Sequence, residues 1–190
     1  MEIFEYESYD DYLKYQKKWN ELKFGKLVYV REETINYICD EKAFAGFILC
    51  HGTRDASEQK FFKRRFPGAE VVGSEIGPSA LESPMTVEWD FNKQNDSWLN
   101  KFDIVYSNSF DHSITPLETL KVWKDQLNQN GMLFLEYAEN RSNPSESDPL
   151  GATNTEVEKW INEAGMVVVK KLGRQHNIKH GGTVFCCKVK

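Results

Sequence analysis

Gly52 and Glu75 are the two residues whose types and spacing carry the most chemistry. The run Phe47-Ile-Leu-Cys-His-Gly-Thr-Arg ends an apolar strand at Cys50 and enters a turn in which Gly52 permits close backbone approach. A helix starting near Ala56 points its free amide groups back over that turn. A second strand, Ala69-Glu-Val-Val-Gly-Ser, delivers Glu75 to the same edge, 23 positions after Gly52. This is close to the roughly 20 residues that separate a nucleotide-binding turn from the acid that holds ribose hydroxyls. The expected ligand class is therefore a nucleoside.

A second group able to do chemistry is Ser107-Asn108-Ser109-Phe110-Asp111-His112, which follows a later strand at the ligand-binding edge of an open α/β sheet. His112 can take a proton at neutral pH, and Asp111 can orient it or bind an acceptor. The plainer alternative is that Asp111 or Ser113 caps the helix beginning near Pro116 and His112 is a solvated loop residue. After the fifth core strand a long polar loop carries Glu136, Tyr137, Glu139 and Asp148, groups suited to hydroxyl-rich or amine acceptors. His176 and His180 make at most half a metal site, with no Cys-x-x-Cys partner, so no metal is expected.

The elements that must position these groups follow from periodicity. Tyr12, Tyr15, Trp19 and Leu22 recur at helical spacing within residues 9–22, an amphipathic N-terminal helix whose aromatics are read as core packing ahead of pocket lining. Residues 26–30 are expected as a short strand and 32–41 as a helix with Ile35, Ile38 and Cys39 on its face. From Ala45 the pattern becomes regular, with strands near 45–50, 69–74, 86–89, 102–107 and 131–137 and helices near 56–66 and 115–127. This is a doubly wound parallel sheet. A helix over 154–164, then strands 166–172 and 183–190 joined by a Gly- and His-rich loop of about ten residues, close the chain with an antiparallel hairpin.

Composition places these elements in one unit. A length of 190 residues suits a single α/β domain, with 1–44 as an N-terminal helical cap and 45–190 as the core. Net charge is −5, and the Lys and Arg residues are dispersed, so no nucleic-acid surface is expected. The basic run 60–65 is interrupted by Phe61 and Phe62 and reads as a solvated helix face. No apolar run approaches membrane-spanning length, and the N-terminal segment lacks a signal-peptide pattern, which gives a cytoplasmic expectation. Cys39, Cys50, Cys186 and Cys187 read as reduced core residues.

Taken in order, Ile48-Leu-Cys-His-Gly-Thr-Arg, Val72-Gly-Ser-Glu, Thr86-Val-Glu-Trp-Asp-Phe, Phe102-Asp-Ile-Val-Tyr-Ser-Asn-Ser and Gly131-Met-Leu-Phe-Leu-Glu resemble the successive blocks of a class I S-adenosylmethionine-dependent methyltransferase. The His-Gly-Thr-Arg turn also resembles that of an uncharacterised subgroup. The resemblance implies a Rossmann-like doubly wound sheet of seven strands, mostly parallel with an antiparallel C-terminal strand. It implies S-adenosylmethionine as cofactor, held at its methionine end by His51, Gly52, Thr53 and Arg54, at its ribose by Glu75, and at its adenine by Asp90. Trp89, Phe91 and Ile76 would lie beside the base, with Glu58, Ser107 and Asn108 adding polar contacts. The family's turn reads acidic-x-Gly-x-Gly-x-Gly, whereas here Cys50 stands at the acidic position, Arg54 at the second glycine and Ala56 at the third. The implied activity is methyl transfer to a small polar acceptor, a sugar or other metabolite hydroxyl or amine. The alternatives are a binding protein that has lost turnover and a nicotinamide-dependent oxidoreductase, the latter lacking its Gly-x-Gly-x-x-Gly cradle.

Overall fold

Side chains alternate across a strand, so an apolar run without polar breaks needs cover on both faces. The computed structural model describes residues 2–139, 144–173 and 182–190, and His176 and His180 lie outside them. The elements in order are β1 (Glu2–Ile3), α1 (Tyr9–Lys23), α2 (Glu32–Glu41), β2 (Phe47–His51), α3 (Ser57–Arg65), β3 (Glu70–Glu75), β4 (Thr86–Glu88) and β5 (Phe102–Ser107). There follow α4 (Pro116–Gln126), β6 (Leu127–Tyr137), β7 (Leu150–Gly151), α5 (Asn154–Glu163), β8 (Met166–Leu172) and β9 (Thr183–Val189).

The main sheet has seven strands in the order β4-β3-β2-β5-β6-β9-β8. Strands β2 to β6 pair in parallel, and β9 runs antiparallel to both β6 and β8. The Rossmann-like architecture read from the sequence is the one observed. Residues 26–30 are not a strand; the amides of Lys26 and Leu27 turn back to the Lys23 carbonyl at the end of α1, and the carbonyl of Leu27 accepts from Arg54 Nη1. A small second sheet, β1 against β7 with Ile3 opposite Leu150, was not anticipated, because two residues are too short to carry a period. No helix among the described residues is long and apolar enough to cross a membrane.

The alternation is visible in β2. Leu49 joins a core on one face with Val105, Leu133, Trp123 of α4 and Ile161 of α5. Ile48 and Cys50 join a second core on the other face with Ile104, Phe134, Ile38 of α2 and Phe62 of α3. Full burial of side chains of this size contributes about 1.5–3 kcal/mol each. The adjacent Cys186 and Cys187 are unpaired, buried and divided between the two faces.

Register levels the carboxyl ends of the central strands. His51 lies opposite both Ser74 and Ser107, and Ser107 lies opposite Leu135. The turns after β2, β3 and β5 therefore leave the sheet side by side. Helix α1, whose N-cap Ser8 accepts from the Asp11 amide, crosses above them.

Candidate functional site

A cleft opens at this edge, with Gly52, Arg54, Glu75, Ile76, Asp90, Phe91, Ser109 and His112 as its floor. Its roof is one face of α1, made by Tyr12, Gln16, Trp19, Asn20 and Lys23.

The turn after β2 is shaped by glycine-like backbone angles. Gly52, Arg54 and Ala56 have φ of +72°, +40° and +60°, so all three alternate positions are left-handed although only one is glycine. A Cβ on Gly52 would lie 2.6 Å from Ser109 Cβ, so the space its missing side chain leaves is filled from the β5 turn. The Ser109 hydroxyl donates to the Gly52 carbonyl at 3.1 Å and fixes that contact.

Glu75 ties the turn down. Its Oε2 accepts from the Arg54 amide at 2.8 Å, and its Oε1 accepts from the amides of Ile76 and Gly77 at 2.7 and 3.2 Å. Burial raises its pKa above the ordinary carboxylate value, opposed by these three N–H groups and by the Arg54 charge. A carboxylate offers about four acceptor positions, and Oε2 uses one for protein, which leaves acceptor capacity facing the cleft.

Asp90 is also partly engaged. Its Oδ1 accepts from the Asn92 amide and from Asn92 Nδ2, at 2.9 and 2.8 Å, and its Oδ2 accepts from the Tyr9 hydroxyl at 2.5 Å. Asn92 Nδ2 also donates to the Tyr12 hydroxyl at 2.9 Å. Farther along α1, the Ser79 hydroxyl donates to Asn20 Oδ1 at 2.5 Å. The roof is thus fastened to the floor at both ends of the cleft.

At the β5 side, His112 Nδ1 lies 2.9 Å from Gln16 Oε1. Gln16 directs its Nε2 to the Tyr6 hydroxyl and the Ser147 carbonyl, so its oxygen faces the ring and Nδ1 is the donor. In the neutral ring Nε2 then keeps its lone pair. That nitrogen is 3.9 Å from both Asp111 Oδ1 and Asp148 Oδ1. The three side chains bring one ligand atom each within 4.8 Å of one another, a donor set that would also suit a divalent cation. Burial raises the Asp111 carboxyl, with the His112 charge opposing.

Of the cofactor residues expected from sequence, Gly52, Arg54, Glu75, Ile76, Asp90 and Phe91 come together in the cleft, and of the catalytic pair His112 lines it with Asp111 alongside. The others are placed elsewhere. His51 is buried on the α4 face, stacked 4.9 Å from Trp123, its nitrogens bonded to Ser74 Oγ and Gln126 Oε1. β2 extends through residue 51, and the two-residue period turns His51 with Leu49 into the core. Thr53 is buried behind the turn, accepting from Gln59 Nε2. Glu58 is buried on α3, away from the cleft lining, with Oε2 unpartnered. Ser107 is buried, donating to the His51 carbonyl, while Asn108 contacts the Ser109 hydroxyl. Trp89 turns away to donate to the Lys93 carbonyl. Of the groups expected on the loop, Glu136 accepts from Tyr106 on the α2/α3 face, the buried Tyr137 hydroxyl accepts from the Ala152 amide, and Asp148 lies beside His112.

No family model matches the chain, and no curated protein matches it in sequence. Solved structures do match. The 1,6-didemethyltoxoflavin-N1-methyltransferase of Burkholderia thailandensis, solved with 1,6-didemethyltoxoflavin and S-adenosylhomocysteine, superposes with a TM-score of 0.77 at 12% identity, over 98% of this chain and 92% of that one. The magnesium protoporphyrin IX methyltransferase of Synechocystis PCC 6803, with bound S-adenosylmethionine, gives 0.64 at 13% identity, over 97% and 100%. A TehB-like S-adenosylmethionine-dependent methyltransferase of Corynebacterium glutamicum gives 0.63 at 14%, over 96% and 100%. At these identities the likeness is one of fold. Sequence reasoning missed the roof residues Gln16, Asn20 and Lys23, and it placed Ser109 in the candidate run 107–112 without a role of its own. Tyr12 and Trp19 were visible as an aromatic stripe and were assigned to packing.

Proposed function

We propose that the chain is an S-adenosylmethionine-dependent methyltransferase acting on a small polar acceptor. The observation that carries this reading is the convergence of Gly52, Glu75, Ile76 and Asp90 on one cleft at the carboxyl edge of the sheet. In this reading Glu75 accepts from the ribose hydroxyls, Asp90 accepts from the adenine amine, and Ile76 and Phe91 flank the base. The bound cofactor supplies an activated sulfonium methyl. The protein then has to align the acceptor in line with that carbon and keep water out, which the α1 roof serves. His112 Nε2 is placed to take a proton from a hydroxyl or ammonium acceptor, and Asp111 and Asp148 face the imidazolium so formed.

The solved neighbours crystallised with S-adenosylmethionine or S-adenosylhomocysteine support the choice of cofactor. A second reading, binding without turnover, draws on the side chains that Arg54 and Ala56 place at two left-handed positions of the turn.

Calorimetric titration with S-adenosylmethionine, S-adenosylhomocysteine and NAD tests the cofactor. Binding of the sulfur nucleosides alone, weakened at least tenfold in Glu75→Gln, is the expected result. Failure of folded protein to bind either one overturns the reading. Tritium transfer from labelled cofactor across hydroxyl and amine acceptors then separates turnover from binding.

A further inference from the structure

Among the described residues, two N–H donors in the cleft region are buried without a partner. Trp19 Nε1, on the roof, and Arg54 Nε, on the floor, each have essentially no solvent access and no hydrogen-bond acceptor, and both residues line the cleft. Donors shut away from water without acceptors are costly, and native proteins keep few of them. One edge of the Arg54 guanidinium is already used: Nη1 donates to the Leu27 carbonyl at 3.3 Å, and the group lies over the Tyr29 ring. Nε belongs to the other part of the fork. Lys23, one helical turn beyond Trp19, holds its ammonium 5.6 Å from the centre of the indole ring and lines the same cleft.

We propose that Trp19, Lys23 and Arg54 form a carboxylate subsite. The placement rests on the cofactor reading above, since the three residues lie beside Gly52 and Glu75. Three acidic groups feel their charge, and none completes the site: Glu58 is buried on α3 and does not line the cleft. Glu75 is held by three backbone amides, including that of Arg54 itself. Asp111 feels the Lys23 charge but lies with His112. Two cations and an indole N–H therefore remain for an incoming planar anion, and a carboxylate's two oxygens can be shared between roof and floor. Such an anion can come from the amino-acid arm of the cofactor or from a carboxylated acceptor. In either case it bridges α1 to the turn after β2.

Trp19→Phe keeps an aromatic ring and removes the indole donor together with part of the ring area, a loss that every ligand shares. The variant and the parent protein are titrated with S-adenosylhomocysteine, with 5′-methylthioadenosine, which lacks the amino-acid arm, and with benzoate added to nucleoside-saturated protein. If the cofactor supplies the carboxylate, S-adenosylhomocysteine weakens about tenfold more than methylthioadenosine. If the acceptor supplies it, both nucleosides shift equally and benzoate weakens about tenfold more than either. Equal weakening of both nucleosides without a larger loss for benzoate, or no change in any ligand, overturns the subsite. Should the parent protein bind neither nucleoside, the cofactor reading fails on its own. Benzoate binding to the free protein then decides the subsite, supported by loss in Trp19→Phe and overturned by an unchanged or absent response. Lys23→Met should reproduce the carboxylate-specific loss and Lys23→Arg should restore it, a pattern that misfolding would not give.

Discussion

The Tyr9 hydroxyl donates to Asp90 Oδ2 at 2.5 Å, joining the first turn of α1 to the acid that follows β4. Burial, and then the bond to Asp90, raise the Tyr9 pKa, so the phenol remains a donor throughout the physiological range. This bond is a latch between roof and floor. It takes up only part of the Asp90 acceptor capacity.

Tyr9→Phe should therefore raise both the association and the dissociation rate of S-adenosylhomocysteine several-fold with little change in Kd, because a latch opposes passage in both directions. Stopped-flow tryptophan fluorescence reads both rates. A weakened Kd at unchanged association rate would instead make Tyr9 a ligand contact.

Gly52→Ala should cost more than 2 kcal/mol of folding stability in chemical denaturation. It combines a left-handed φ of +72° with a Cβ 2.6 Å from Ser109 Cβ, and a strained backbone position alone costs about 1–3 kcal/mol. Adding Ser109→Gly should recover the steric part and leave about 1 kcal/mol for the backbone. Equal stability of the single and double variants would show that Ser109 does not fill that space.

The sheet was legible because its strands are apolar on both faces, and His51 shows where legibility stopped. In sequence it opens the turn before Gly52. In space the strand runs one residue further, and alternation sends the imidazole onto Trp123. The roof was hidden for a different reason. Tyr12, Gln16 and Trp19 recur at a spacing that shows a buried helix face, but periodicity cannot say whether that face covers a core or a cleft. Glu75 could be read because its position is fixed by strand length and by a turn with few alternatives. Ser109 stood in the candidate run 107–112, but its role could not be read, since only the left-handed geometry of Gly52 explains why a small side chain must stand there.

His51 should give the protein an acid limb in its stability. Burial lowers its pKa from 6.5 to about 4, with the Gln126 bond opposing, so the native state refuses a proton that the unfolded chain accepts. Stability is complete above pH 6.5 and falls by about 3 kcal/mol in total as pH drops toward 4. Urea melts of His51→Gln should lose this slope, and an unchanged slope would assign the acid limb to other groups.

Glu58 should act in the opposite sense. Burial raises its carboxyl from 4.5 to about 8, so the native state holds a proton that the unfolded chain releases. Its contribution is complete below pH 4.5 and is lost as pH rises toward 8, about 3 kcal/mol by pH 7. Glu58→Gln mimics the protonated acid and should stabilise the protein by 2–3 kcal/mol at pH 7.5 in urea melts, with no gain at pH 4.5. A gain equal at both pH values would come from packing and not from the proton.

The proposed role of His112 as proton acceptor can be separated from its alternatives. Gln16 accepts from Nδ1 and leaves Nε2 as the basic nitrogen, so removing the ring and removing its orienting partner should differ in effect. For a hydroxyl acceptor, His112→Gln should lower kcat about 10²–10³-fold while leaving the Kd of S-adenosylhomocysteine unchanged. Gln16→Leu should lower kcat less, because the ring remains and only its tautomer and tilt are released. The competing role for the same atoms is cation binding by Asp111, His112 and Asp148, grouped within 4.8 Å. A base needs no metal, so dialysis against EDTA should leave the rate unchanged. A loss restored by magnesium or manganese would move His112 from proton acceptor to ligand, and the pH profile of kcat would then follow the bound water instead of the imidazole.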